Sequence, residues 1–280
     1  MSCKTEGDSP CVLRSVAEDT KRTVPAVLCR GGTQKEPSPL CSVVEEHKKN
    51  RPRCVRFLSI IVVMEKKDDN GLFTIYKTLL AHYGDLKWWP ADTPYEVIVG
   101  AVLAQNTAWS NVEKAIANFG GGLSPEVVRD MDPAELIEII RPSGFFNQKA
   151  GYLKNVTEWF SGYGYDAAAA RKRPLDEIRA ELLGVKGVGR ETADAILLYA
   201  IGFPSYVVDA YTVRLCGRYP IEAGEGYEKV KAFFEGNLSA DAGVYNRFHA
   251  MIDINAKEHC RKKPACGGCP LEGGCAKNGI

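Results

Sequence analysis

Four cysteines crowd the last stretch of the chain, Cys260, Cys266, Cys269 and Cys275, in the pattern C-x5-C-x2-C-x5-C. Thiolates packed this densely can wrap one small inorganic centre. The spacing leaves zinc and a [4Fe–4S] cluster equally open, since tetrahedral thiolate sites serve both. Arg261, Lys262 and Lys263 fill the first gap; such a patch suits a phosphate backbone or is an ordinary solvated loop. A second candidate is Asp209, which follows Gly202-Phe203-Pro204 and directly precedes a helical pattern starting at Ala210. A carboxylate there caps the helix. The third candidate is the link Val185-Lys186-Gly187-Val188-Gly189 between two helical patterns. Its glycines permit φ > 0 and bare their amides. Together with the next helix start, the amides of Gly187 and Gly189 can face a phosphate; the plainer alternative is a tight helix–helix turn without a ligand. Three of the four tryptophans gather at Trp88, Trp89 and Trp109. Their faces stack well on purines and best on cationic ones, or simply pack in a core.

The elements that must position these residues read as helices. Leu72, Ile75, Tyr76, Leu79 and Leu80 recur at helical spacing. Thr93 and Pro94 open a helix over 95–103, Ser124 and Pro125 another, and Asp132 and Pro133 a third that runs to 140. Helical patterns also cover 111–119, 148–163, 174–183, 190–201, 226–238 and 241–259. Short Gly, Pro and Asn turns separate them. No useful alternation of apolar and polar residues appears, so the fold class is all-α.

Composition narrows the class further. The 280 residues are 25% charged and 45% hydrophobic with a net charge of +1, which excludes collagen-like and fully disordered chains. The longest apolar run, 57–64, is far short of the ~20 residues of a membrane span, so no membrane partner is expected. Five cysteines are scattered before residue 64 and Cys216 stands alone. That spread, with no signal peptide, argues against a secreted disulfide scaffold and for a cytoplasmic, reducing compartment, nucleoid-associated in a prokaryote. Residues 1–63 carry a net +4 against −3 for 64–280. They lack periodicity and are expected to be a disordered or non-native extension, with Met64 as the alternative start.

The run GVGRETADAILLYAIGFPSYVVDAYTVRL from Gly187 resembles the helix-hairpin-helix-Gly/Pro-Asp superfamily of DNA glycosylases, nearest to endonuclease III and its relatives. By motif placement the resemblance extends from Leu72 to the C-terminus. It implies a two-lobed fold, with a helical bundle over 86–203 and a second lobe of 64–85 plus 204–280. It implies that Asp209 is the catalytic aspartate, that Lys186, Gly187, Gly189 and Arg190 meet DNA with Arg261, Lys262 and Lys263, and that Gln105 of Ala104-Gln105-Asn106-Thr107 fills the gap left by an extruded nucleotide. It also implies a [4Fe–4S] cluster on the four cysteines, with zinc as the alternative. The lysine that forms a Schiff base in bifunctional members is Glu191 here, and glutamate forms no imine. Together with Trp88, Trp89 and Trp109, this resembles the 3-methyladenine branch, whose members also lack that lysine. Lys257 and His249 are further pocket candidates; their plainer readings are a solvated lysine and a hydrogen-bonded core histidine. The expected activity is hydrolysis of a damaged, alkylated purine from duplex DNA by a monomer, without lyase activity. The competing expectations are an endonuclease III-like glycosylase/lyase acting on oxidised pyrimidines and a non-catalytic DNA-binding module.

Overall fold

A computed structural model of the chain describes residues 71–86 and 88–280, with two dipeptide strands upstream, β1 (Val12–Leu13) and β2 (Val27–Leu28). The strands pair antiparallel, Val12 opposite Leu28, within a unit Met1–Pro52 that is separate from Arg53–Ile280. Apart from this small ladder, which the sequence did not suggest, the expected extension 1–63 and the alternative start at Met64 lie outside the described residues.

In the larger unit the described residues form helices and connecting loops. The expected stripe of α1 (Leu72–Tyr83), namely Leu72, Ile75, Tyr76, Leu79 and Leu80, is buried, and it packs on α12 (Ala242–Glu258). The Tyr76 ring meets Phe248 edge-on at 5.2 Å. Helix α2 (Pro94–Leu103) starts where expected, with Thr93 Oγ1 accepting from Glu96 N at 3.1 Å. Residues Val97 to Leu103 are all buried, so α2 is apolar all round and forms the centre of the bundle. Each fully buried Val, Ile or Leu contributes about 1.5–3 kcal/mol.

Around α2 stand α3 (Trp109–Ala117), α4 (Pro125–Asp130), α5 (Pro133–Ile140), a 3-10 turn Arg141–Ser143, and α6 (Phe146–Ser161). A four-residue helix α7 (Ala167–Ala170), capped by Asp166, precedes α8 (Leu175–Gly184). The pattern over 190–201 becomes one rod of two pitches: α9 (Arg190–Ala195) continues as a π-helical segment Ile196–Ile201. Gly202, at φ +82, ends the rod, and Phe203 N closes back on Leu197 O at 2.8 Å. Then follow α10 (Ala210–Arg218), α11 (Tyr227–Asn237) and α12. Among the described residues no helix is long and apolar enough to cross a membrane.

Candidate active site

The hairpin joins α8 to α9 through residues 185–189, with Val188 buried beneath it. Gly187 has φ +99, and a Cβ there would stand 2.1 Å from Tyr152 Cγ. No other residue fits that position. Gly189 differs from expectation. Its φ is −88, and a Cβ would meet open space, so any residue can adopt its backbone. It begins α9 with no side-chain cap, which leaves the first amides of the helix unsatisfied by side chains. Lys186 and Arg190 are exposed, and Arg190 Nε lies 3.4 Å from Glu228. Gln105 reaches the same turn: its Nε2 donates to Gly187 O (2.9 Å) and to Thr192 Oγ1 (3.0 Å). To enter a duplex, Gln105 must give up both bonds.

Asp209 is the N-cap of α10. Its Oδ1 accepts from Thr212 N at 2.7 Å and from Thr212 Oγ1 at 2.8 Å, and its side chain is 15% exposed. Glu191, on the first turn of α9, is open to solvent on one side and crowded by protein on the others. Burial first, and the charge of Asp209 second, push its carboxyl up to about 7. The structure thus brings Gln105, Gly187, Glu191 and Asp209 to one end of the hairpin.

A buried polar network fixes the loop that carries Asp209. Asp194 of α9 is fully buried. It accepts from Arg179 Nε (2.9 Å) and Nη2 (3.1 Å), Ser205 Oγ (2.6 Å) and Tyr227 OH (2.7 Å). Lys231 Nζ stands 3.2 Å away and donates to Ser205 Oγ, Tyr206 O and Glu235 Oε1. Helices α8, α9 and α11 and the loop 202–209 therefore share one charge-balanced knot. The sequence offered no signal for it, because its members come from four separate segments.

Trp88 and Trp89 line a surface indentation with Leu86, Pro90, Asp92 and Glu96. Trp89 meets Trp109 edge-on at 5.0 Å and Tyr199 at 4.9 Å. Gly100 makes room for them, since a Cβ there would come within 3.3 Å of Trp89. The indole N–H of Trp88 is buried without a hydrogen bond, while its carbonyl accepts from Asn246. Lys257 Nζ sits 5.5 Å from the Trp88 ring centroid and forms an ion pair with Asp253 Oδ2 at 2.6 Å, off the hydrogen-bonding direction. Lys257 is 45% exposed, and its charge is engaged by Asp253. The expected core histidine, His249, is buried and bonded through Nδ1 to Tyr199 OH at 2.7 Å.

Two residues near Gln105 escaped the sequence reading. Lys149, 1% exposed, donates from Nζ to Leu103 O (2.8 Å) and Ser143 O (2.7 Å), and burial pushes its amine down to about 8. It clamps the loop carrying Gln105 to the turn carrying Phe145. Phe145 is 59% exposed at φ +48. A bulky residue held in the left-handed region and bared to water costs folding energy. An exposed aromatic after Gly144 was the signal available.

The four C-terminal cysteines line one small indentation of about 30 Å³, together with Leu215, Leu271 and others. Arg218 Nη1 donates to Cys260 Sγ (3.2 Å) and to Arg261 O (2.7 Å), and Arg214 to Cys260 O (2.7 Å). Burial first, then the three other thiols, push the Cys269 thiol up. Among the described residues, no three His, Cys, Asp or Glu side chains converge on a single-ion site. Arg261, Lys262 and Lys263 are exposed on this loop, tied to the cysteines rather than to the hairpin. Cys216 is packed apart from them; burial pushes its thiol up to about 12.

The HhH-GPD superfamily of base excision DNA repair proteins matches residues 99–239. A protein of Methanocaldococcus jannaschii named "Putative DNA repair glycosylase MJ1434" is 47% identical over 217 residues, covering 76% of this chain and 99% of its own length. The chain belongs to the HhH-GPD superfamily. Endonuclease III of Haemophilus influenzae is 28% identical over 66% of this chain and 84% of its own. Among solved structures, H. pylori 3-methyladenine DNA glycosylase bound to 1,N6-ethenoadenine matches with 30% identity and a TM-score of 0.59, over 66% of this chain and 96% of that one. A non-covalent endonuclease III–DNA complex shares the fold, with a TM-score of 0.62, 21% identity, and coverage of 74% of this chain and 94% of that one. As a member of this superfamily the chain is a DNA glycosylase of base excision repair, and the helical fold of its larger unit is the one expected.

Proposed function

We propose that this glycosylase is monofunctional and hydrolyses the N-glycosidic bond of alkylated purines in duplex DNA, leaving an abasic site. Glu191 carries the reading. The group beside Asp209 on the first turn of α9 is a carboxyl rather than an amine, so attack on C1′ by nitrogen has no agent there. An extruded purine enters the cleft and stacks on the Trp88–Trp89–Trp109 wall. A cationic, alkylated ring gains most from indole faces and from the carboxylates Asp209 and Asp253. As the N–C1′ bond breaks, its electron pair leaves with the base, which becomes neutral. Asp209 stabilises the oxocarbenium-like sugar and orients the water whose oxygen bonds to C1′. Gln105 and Phe145, on loops joined through Lys149, occupy the gap in the stack.

Cys260, Cys266, Cys269 and Cys275 would hold a [4Fe–4S] cluster, which would supply a covalent staple between the end of α12 and the C-terminal loop. Four cysteines lining one indentation supply the four thiolates that such a cluster takes. Arg261, Lys262 and Lys263 then contact phosphates from a fixed loop. The test is mass-spectrometric identification of bases freed from dimethyl-sulfate-treated and oxidised duplexes, with borohydride added in parallel. Methylated purines and no trapped protein–DNA adduct are expected. Oxidised pyrimidines with a covalent adduct would overturn this reading in favour of the endonuclease III-like lyase.

A further inference from the structure

Asp209 presents its two oxygens to different surroundings. Thr212 saturates Oδ1, while Oδ2 faces His249 Nε2 at 3.8 Å, too far for a hydrogen bond. The imidazole is 8% exposed, and its Nε2 is buried with no hydrogen-bond partner. A buried donor left unmatched in a folded protein calls for an explanation. The other ring nitrogen, Nδ1, is 2.7 Å from Tyr199 OH. A ring nitrogen that faces a carboxylate, as Nε2 faces Asp209, is the one that carries the proton, which leaves Nδ1 to accept from the Tyr199 hydroxyl. An imidazole that accepts at Nδ1 carries its own proton on Nε2, the atom aimed at Asp209. Tyr199 sits in the π-helical segment, a widened turn of the kind found at functional sites. The remaining charged neighbours of the ring are Asp253, four residues on along α12, and Lys257, and these two are paired with each other at 2.6 Å. Asp209 is the carboxylate that comes within 4 Å of Nε2.

The geometry points to an orienting chain from Tyr199 through His249 to Asp209, in which His249 is a positioning residue that locks Oδ2 once substrate closes the cleft. With Thr212 on one oxygen and His249 on the other, the plane of the carboxylate is fixed, and the outer lone pair of Oδ2 is left for the attacking water. Closing from 3.8 Å to bonding distance takes a movement of about 1 Å. The inference rests on the functional reading above, because it takes Asp209 to act on the nucleotide.

His249→Phe keeps the ring's bulk and removes both nitrogens; His249→Gln restores an N–H near the place of Nε2. The measurement is single-turnover purine release from dimethyl-sulfate-treated duplex, with the half-saturating enzyme concentration and the melting temperature recorded for each variant. His249→Phe is expected to lower the maximal rate by about 10- to 100-fold, the loss of one hydrogen bond to a charged group, with half-saturation unchanged. His249→Gln should recover most of the rate. Tyr199→Phe should lose less, and nothing further in the His249→Phe background. The orienting chain is overturned by a wild-type rate in His249→Phe, by Phe and Gln variants equally slow, or by losses confined to half-saturation or melting temperature. Asp209→Asn separates the two layers. If it still releases purine, the functional reading falls; if it is inert while His249→Phe is normal, only the orienting chain falls.

Discussion

Two carboxylates flank the rod that follows the hairpin, and they are treated in opposite ways. Asp194 is fully buried and saturated by Arg179, Ser205, Tyr227 and Lys231. Burial alone would raise its carboxyl, but these partners hold it below the usual range. Asp209 has one oxygen saturated and the other facing an unpartnered histidine nitrogen. The indole N–H of Trp88 is also left without a hydrogen bond. Complete networks rigidify, and incomplete ones keep a cost in hand that a bound molecule relieves. The first carboxylate builds the frame; the second keeps one oxygen unbonded, as the proposed role in base release requires.

The sharpest way to break this contrast is to neutralise each acid in turn. Asp209→Asn keeps an oxygen to accept from Thr212 N, so the cap on α10 survives. Base release should nevertheless fall by about 10²–10⁴-fold, the usual weight of a positioned acid–base group, while binding to damaged duplex in a gel-shift assay persists. Asp194→Asn should do the reverse. It takes from Arg179 and Lys231 their one fully buried carboxylate and leaves them the more exposed Glu228 and Glu235, a loss of about 3 kcal/mol seen in urea unfolding, with little change in release per folded molecule. An Asp194→Asn protein of normal stability but no activity would erase the distinction between the two sites.

The same contrast explains what the sequence disclosed. The caps at Thr93, Ser124, Asp132 and Asp209 were legible because each is satisfied within three residues. The cysteine set and Glu191 were legible because residue type and local spacing define them. The Asp194 knot was not, since Arg179 and Lys231 lie 15 and 37 positions from it in a one-dimensional pattern that carries no pairing information. Lys149 drew no reading within the helical pattern over 148–163, because a lysine's type does not tell that its amine is buried under two carbonyls. The glycine pair of the hairpin read as two equivalent residues, yet only Gly187 is forced, by the Tyr152 ring pressed against it. The π-helical pitch of Ile196–Ile201 left no trace in a periodicity that still averaged to a helix.

The cysteine loop extends the structural side of the comparison. Cys266→Ser should abolish the broad visible absorbance of anaerobically purified protein and lower stability by about 2–5 kcal/mol, as loss of a covalent cross-link does. Colourless wild-type protein holding zinc would replace the cluster with a single ion. Phe145 extends the functional side. It is exposed and strained, so Phe145→Ala should leave the melting temperature unchanged or higher. Affinity for damaged duplex should drop by about 1–3 kcal/mol, the worth of one aromatic–base stack. Equal affinity in fluorescence anisotropy would remove Phe145 from the interface.

The smallest expected effect belongs to Glu191, which stands between the two categories. Its carboxyl is raised to about 7 in the folded chain, by burial first and by Asp209 second. From its ordinary value up to that point the folded state therefore holds a proton that the unfolded state has released, and stability falls as pH rises through the window. Below it the penalty is absent; above about 7 it is fully present. Solvent reaches one side of the side chain and screens the charge, which keeps the effect small. Glu191→Gln carries no titrating group, so its melting temperature should match wild type at pH 4 and exceed it at pH 8. A constant difference across that range would mean that Glu191 does not feel Asp209. The close approach of the two carboxyls would then be absent.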